Sequence, residues 1–220
     1  KVKVAGIGWS TPVIYGDQVW MTTASPDGHT LRVVCLDRRN GKTIHDRVVF
    51  EVSQPGPKNE QNSYASPSPV IEAGRLYVNF GTYGVACLDT RTGVELWSRR
   101  DLQLDHQEGP GSSMILYRDL LICHCDGRDL QYVTGLDKQT GKTVWRTERS
   151  LDLSGVGDFA RKAFTTPIVV EAGGVAWLIS PSAQGCYAYN VQNGQERWHI
   201  RYSGFSAVPR PVVWGELAYV

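Results

Sequence analysis

Three stretches of the chain bring side chains capable of chemistry close together. Asp105-His106 with Glu108 sets an imidazole among carboxylates, a grouping that could move protons as a general acid–base set or lend oxygens to a calcium site. Cys123-His124-Cys125 has the composition of a metal cluster. Finally, hydroxyls and aromatic rings recur just before successive apolar runs: Trp9 and Ser10, Tyr64 and Ser66, Ser112 and Ser113, Phe164 and Thr165, Phe205 and Ser206, with Arg210 beyond the last pair. Rings that stack on C–H faces, interleaved with hydroxyls, suit a neutral polar ligand such as a sugar. The competing reading is that these serines and threonines only tie down loop backbone.

What positions these residues is a repeat. The stretches "LDRRNGKTIH" (36 to 45), "LDTRTGVELW" (88 to 97), "LDKQTGKTVW" (136 to 145) and "YNVQNGQERW" (189 to 198) are copies of one unit, with turn glycines Gly41, Gly93, Gly141 and Gly194 separated by 52, 48 and 53 residues. In each, an acidic or amide side chain can accept from backbone N–H groups two and three residues on, while the glycine supplies the positive φ that closes a short hairpin. A second motif precedes each copy in fixed order: an apolar run, usually opened by proline, then a polar turn and another apolar run. The copies are "TPVIYGDQVWMT", "SPVIEAGRLYVNF", "SMILYRDLLICH" and "TPIVVEAGGVAWLI", and a further one begins at "RPVVWGELAYV". Each unit therefore reads as four short strands, A to D, rich in β-branched and aromatic residues.

Four-stranded antiparallel units at this period predict an all-β chain of β-propeller blades. The repeat units run over about 11–50, 66–102, 111–149 and 165–202, with an incomplete one from 209, and 1–220 reads as a single portion of a seven- or eight-bladed ring. The opening "KVKVAG" alternates like a D strand of a preceding blade. Its 23 glycines and 41% hydrophobic residues fit a turn-rich globular chain, no apolar run approaches membrane-spanning length, and a net charge of +1 gives no electrostatic case for nucleic acid.

The repeat also explains most cysteines and tryptophans as packing. Cys35 and Cys87 take the position that Gly135 and Ala188 hold in the other copies, a place for a small residue. Cys123 and Cys125 point to one face of a B strand and His124 to the other, aligned with Phe80; no second pair at ligand spacing completes a zinc site, so no metal is expected. Trp97, Trp145 and Trp198, with His45 as the fourth, begin the D strands as inter-blade packing groups. Trp20 and Trp177 align with Tyr77 on the B strands.

Turns joining A to B and C to D are uniformly short, whereas the D-to-A loops (53 to 66, 103 to 113, 150 to 166, 203 to 210) are long and polar. Long loops on a rigid scaffold are where binding concentrates. The B-to-C loops (81 to 84, 126 to 131, 180 to 185) open on the same face, whose charged residues are Lys58, Glu60, Asp105, His106, Glu108, Asp126, Arg128, Asp129, Asp158, Arg161, Lys162 and Arg210. Tyr64 and Phe205 are the two rings whose removal is expected to weaken a ligand while leaving the fold intact.

The Asp-x-x-x-Gly-x-x-x-Trp hairpins resemble the tryptophan-docking repeat of pyrroloquinoline-quinone (PQQ) type propellers, shared by quinoprotein alcohol dehydrogenases and the outer-membrane assembly lipoprotein of Gram-negative bacteria. Runs such as "NSYASPSPV" and "GFSAVPRPVV" are similar to PQQ-binding-like propellers of Planctomycetes and their relatives. The resemblance implies a bacterial, extracytoplasmic protein, periplasmic or secreted. In the dehydrogenases of that family PQQ lies beside a disulfide of adjacent cysteines, with calcium held by Glu, Asn and Asp. Here there is no adjacent cysteine pair and no matching acid set. The reading favoured is a non-catalytic scaffold for a protein or glycan partner; the alternatives are a PQQ–calcium oxidoreductase or a carbohydrate-active enzyme using Asp105, His106 and Glu108.

Packing cysteines should be thiols. Unreduced, unfolded protein is expected to titrate five free thiols with a thiol reagent, and folded protein to react slowly. A count below five would reveal a disulfide.

Overall fold

The computed structural model describes residues 2–220; its regular elements are short antiparallel strands, apart from single 3-10 turns at Gly81–Tyr83 and Asp158–Arg161. The first sheet comprises β1 (Val13–Tyr15), β2 (Gln18–Ala24), β3 (Thr30–Asp37) and β4 (Thr43–Glu51); the second, β5 (Val70–Glu72), β6 (Arg75–Asn79), β7 (Val85–Asp89) and β8 (Glu95–Arg99). The third holds β9 (Ile115–Tyr117), β10 (Leu120–Asp126), β11 (Gln131–Asp137) and β12 (Thr143–Glu148); the fourth, β13 (Ile168–Ala172), β14 (Val175–Ser182), β15 (Gly185–Asn190) and β16 (Glu196–Arg201). A hairpin, β17 (Val212–Trp214) and β18 (Leu217–Tyr219), follows. Every sheet is a simple meander. The first two form one compact unit, which also takes in Gln107–Pro110; the last two and the hairpin form another, together with Leu104–His106.

The repeated turn does what its sequence asks. Asp89 Oδ1 accepts from the N–H groups of Arg91 (2.9 Å) and Thr92 (2.8 Å), Asp137 Oδ1 from Gln139 (3.0 Å) and Thr140 (2.8 Å), and Asp37 Oδ1 from Arg39 (2.8 Å) and Asn40 (3.1 Å). Asn190 accepts from Gln192 at 2.9 Å. Gly41, Gly93, Gly141 and Gly194 sit at φ of 71°, 69°, 72° and 71°, where a side chain is strained. The carboxyls of Asp89 and Asp137 are held below the usual range, Asp89 chiefly by the Thr92 N–H with help from its hydroxyl, and Asp137 chiefly by the Thr140 hydroxyl with help from the turn's backbone N–H groups.

Register then explains the small residue before each Leu-Asp. Cys35 lies opposite His45, Cys87 opposite Trp97, Gly135 opposite Trp145 and Ala188 opposite Trp198. A large ring on strand D needs a small neighbour on strand C: a Cβ on Gly135 would come within 2.5 Å of the Trp145 indole. The ring reaches onward to the next sheet. Trp145 lies against the Gly194 turn, 2.5 Å from where a Cβ would stand, and its Nε1 donates to Val191 O at 2.9 Å. His45 seats against Gly93 in the same way, 3.1 Å from such a Cβ, and stacks on Trp20.

Within the first unit the core is built from Trp20, Leu31, Val33, Phe50, Leu76, Val78, Phe80 and Leu88. In the second, Ile122, Val133 and Trp145 pack with Leu178, Tyr187, Tyr189 and Val191. All five cysteines are buried free thiols. Burial pushes the thiols of Cys35 and Cys125 up to about 12 and that of Cys186 to about 11.

Four sequence readings are corrected. Trp177 pairs with Asn190, and it is Ile179, opposite Ala188, that shares the register of Trp20 and Tyr77. The cause is an A–B hairpin in the fourth sheet longer by two residues on each arm. His124, opposite Val133, corresponds to Asn79 and Thr22, while Cys125 takes the Phe80 register. The stretch 180–185 is not an open loop: strands run through Ser182 and from Gly185, leaving a two-residue turn with Gln184 at φ 63°. Residues 2–6 form no strand, and the first pairing among the described residues is the bridge of Ile7 to Ala24; Lys1, which opens the alternating run, lies outside the described residues.

Replacing Gly93 by Val is expected to cost roughly 1 to 3 kcal/mol from backbone strain alone. Gly194→Val should cost more, because Trp145 must also leave its seat. Urea unfolding measures both, and parental midpoints for the two variants would overturn the turn assignment.

Candidate functional site

Of the hydroxyls that precede the A strands, those of Ser10, Ser66 and Thr165 are engaged by their own chain. Ser10 Oγ donates to Thr22 O at 3.3 Å, and Ser66 Oγ contacts Ser63 and the Asn62 side chain. Thr165 Oγ1 donates to Pro181 O at 2.6 Å. Two neighbouring hydroxyls tie sheet to sheet: Thr11 N–H donates to Ser68 Oγ (2.9 Å) and Ser113 N–H to Thr166 Oγ1 (3.2 Å). Ser112 is buried, and Ser206 is held at φ 51° with its N–H donating to Lys162 O, while its own hydroxyl is buried without a hydrogen-bond partner among the described residues. Bonds from hydroxyl to backbone carbonyl, of the kind the alternative reading describes, are thus made by Ser10, Ser66 and Thr165.

The aromatic residues divide differently. Tyr64 is buried, with its hydroxyl donating to Gly56 O at 2.8 Å and its ring against Gly28 and Tyr83, so its removal would damage the fold. That corrects the expectation that Tyr64 is dispensable for stability. Trp9 is 64% exposed, Phe205 49%, and Phe164 partly buried against Gly111. Phe205 meets a ring that the sequence did not single out, Phe159, 48% exposed and edge-on at 5.3 Å.

The pair sits on two loops that are zipped together. Phe164 N–H donates to Ala207 O (2.8 Å), Ser206 N–H to Lys162 O (3.0 Å) and Gln184 N–H to Gly204 O (2.8 Å). Beneath the pair Lys162 is wholly buried, its ammonium 3.4 Å from the Phe159 ring centroid and donating to Phe159 O at 3.0 Å. Two half-exposed phenyl rings thus form an aromatic platform on loops held by backbone hydrogen bonds.

The acids of this side have partners. Asp105 is gripped by Arg128, and its own N–H donates to Asp129 Oδ1 at 2.8 Å; Asp158 pairs with Arg161 at 3.3 Å. Asp105 and His106 belong to the second unit, whereas Glu108 belongs to the first, where its carbonyl accepts from Asn59 N–H and the Asn62 amide. Burial lowers the His106 imidazole to about 4 against the opposing pull of Asp105 and Asp129. Arg210 is exposed.

Sequence reasoning missed one cluster altogether. His124 and Asp126 on β10, Arg149 just after β12, Thr165 before β13 and Ser182 on β14 are all buried together. His124 Nε2 lies 2.5 Å from Asp126 Oδ2, Arg149 Nε donates to Asp126 Oδ1 at 3.1 Å, Ser182 Oγ donates to Asp126 Oδ2, and Thr165 Oγ1 is 3.0 Å from His124 Nδ1. The Arg149 guanidinium also faces the rings of Tyr187 and Tyr189. Burial works against the Asp126 carboxylate, but Arg149, His124 and Ser182 outweigh it and hold its pKa well below the ordinary range.

A quinone cofactor with calcium needs free carboxylate oxygens and, by the family pattern, adjacent cysteines. Here Asp105, Asp126, Asp129 and Asp158 are committed to arginines or backbone N–H groups, and the cysteines are separated, buried thiols. The residues of this chain do not fit that cofactor.

The sequence matches the family described as outer membrane protein assembly factor BamB over residues 8–220. None of the curated proteins matches it in sequence. Quinohemoprotein alcohol dehydrogenase from Comamonas testosteroni superposes with a TM-score of 0.60 at 14% identity, covering 89% of this chain and 35% of that one. A europium-containing methanol dehydrogenase gives 0.60 at 13%, over 90% of this chain and 42% of that one. BamB from Moraxella catarrhalis gives 0.51 at 16%, over 90% and 64%. At such identities the likeness is one of fold, and the chain spans about a third of the length of the alcohol dehydrogenase. Four-stranded blades, tryptophan-bearing hairpins and a match over nearly the whole sequence place the chain, as a portion of a larger β-propeller, in the PQQ-type propeller family described by outer membrane protein assembly factor BamB.

Proposed function

We propose that the chain is part of a non-catalytic, extracytoplasmic propeller of seven or eight blades that holds a partner at its long-loop side, with Phe159 and Phe205 as the anchor. The observation that carries this is the exposed ring pair on two hydrogen-bonded loops. Loops that cost nothing further to order make efficient binding surfaces. The family's description as an assembly factor favours a protein partner over a glycan. So does Lys162: an ammonium under the Phe159 ring draws its π density inward, leaving the outer face a weaker partner for sugar C–H groups or cations and a good one for an aliphatic or aromatic side chain. Trp9, in the first unit, offers a second exposed ring.

The reading is tested by selecting peptides from a random display library on the protein, with a neutral oligosaccharide array and a PQQ–calcium titration in parallel. Peptides with an apolar anchor are expected to be enriched, and Phe159→Ala with Phe205→Ala to weaken them about tenfold or more, roughly 1.4 kcal/mol, with little change in melting temperature. Tyr64→Ala, by contrast, should cost about 3 to 5 kcal/mol of stability, as large-to-small changes at buried aromatic sites do. Saturable quinone binding with dye-linked alcohol oxidation would overturn the scaffold reading, and saturable sugar binding dependent on the same rings would replace the protein partner by a glycan.

A further inference from the structure

The buried cluster of His124, Asp126, Arg149, Thr165 and Ser182 lies under the loop that presents Phe159. Arg149 is the first residue of that loop and Thr165 nearly the last; Arg149 reaches both Asp126 and His124 of β10, and Thr165 reaches the same His124. Ala163 N–H adds a bond to Asp126 O at 3.3 Å, and Ser182, also on Asp126, leads into the Ala183–Gln184 turn that carries the neighbouring loop through Gly204. The cluster is therefore where the stems of the Phe159 loop meet the support of the Phe205 loop.

We propose that this cluster is a positioning device for the platform, one that pins residues 149–165 near neutral pH and releases them in acid. The consequence for a partner rests on the function proposed above; the loop behaviour does not. The side chains of His124, Asp126 and Arg149 are 0%, 0% and 1% exposed, so no water stands in for a lost partner.

The direction follows from which groups can change charge. Facing the cluster are Cys125 on β10, Cys186, Tyr187 and Tyr189 on β15, Tyr202 after β16, and, farther out, Arg146 on β12 and Glu196 on β16. Burial pushes these thiols and phenols up, so they stay neutral in acid, and Arg149 stays charged. That leaves His124 and Asp126 as the buried groups that titrate. Burial, reinforced by Arg149 and opposed by Asp126, depresses the His124 imidazole from its ordinary 6.5, and Asp126 is depressed from 3.8. A group depressed in the closed state binds a proton more readily once released. Closure is thus fully favoured above 6.5, weakens as the pH falls through the His124 range, and weakens again when Asp126 takes up a proton.

Hydrogen–deuterium exchange of the whole chain, read by peptide mass spectrometry and corrected for intrinsic rates, tests this without any ligand. The hydrogen-bonded amides of the loop, those of Val156, Ala160, Ala163 and Phe164, are expected to be protected at pH 7.5, with an opening equilibrium that rises towards tenfold per pH unit below about 6.5. His124→Gln, which cannot take up a proton there, should flatten that rise. Thr165→Val should speed exchange in the loop at every pH while β10 and β11 stay protected, so a variant that folds is available if the His124 change does not. An unchanged acid response in His124→Gln, or loop amides as open at pH 7.5 as at pH 5, would overturn the proposal. Failure of the Phe159 and Phe205 variants to affect peptide binding would leave these exchange results untouched, which separates the two claims.

Discussion

A four-stranded meander has two apolar faces and covers neither, so the fold depends on one contact: the seat of a D-strand ring on the glycine turn of the next sheet. Trp145 in the Gly194 turn shows what that contact requires. The ring needs a small residue behind it, a turn without a Cβ ahead of it, and a carbonyl placed for its N–H. The first requirement selects Cys, Gly or Ala before each Leu-Asp, the second selects the glycine, and the third is met because the Asx-type turn fixes the carbonyls that follow it. Where the ring is His45, the seat persists with less area, and Trp20 stacks behind it.

Beside that apolar seat the third and fourth sheets are joined by charge. The register position that is Thr22 in the first sheet and Asn79 in the second becomes His124, with Asp126 two residues on, and Arg149 reaches in to meet them. Such a cluster contributes little net stability, since desolvation cancels most of the attraction, yet removing one member leaves a buried charge and costs about 3 to 5 kcal/mol. Its effect is specificity of placement. An apolar contact tolerates sliding, whereas Asp126, holding Arg149 and Ser182 at fixed angles, does not. The loop whose stems it gathers is the one that carries an exposed phenyl ring.

What the sequence could reveal follows the range of the interactions. The turns were legible because Asp89 bonds its partners two and three residues away, and the strand pattern because it alternates locally. The extended hairpin of the fourth sheet was not, since "EAGG" counts like the other turns until cross-strand pairing shows two more residues on each arm. The cluster was invisible for the same reason. Its members stand 23, 41 and 56 residues apart, and the Cys-His-Cys run drew attention to the thiols when it was the histidine that mattered. Phe205 was identified by its place before an A strand; Phe159, in the middle of a long loop, matched no motif.

Membership of a propeller family settles the scaffold and leaves the activity to the loops. The same blades serve dehydrogenases and an assembly factor among the structural relatives, so the discriminating evidence must be the state of the polar groups that the loops present. In a site for a metal and a quinone, carboxylates would have to be kept apart from arginines, because an ion pair made within the chain competes directly with coordination. This chain does the opposite. It spends Asp105 on Arg128, Asp158 on Arg161 and Asp126 on Arg149, and leaves phenyl rings uncovered. Acids neutralised internally and rings left to solvent form a surface that would gain by excluding water against another apolar surface, and it is on that gain that the proposed partner binding rests.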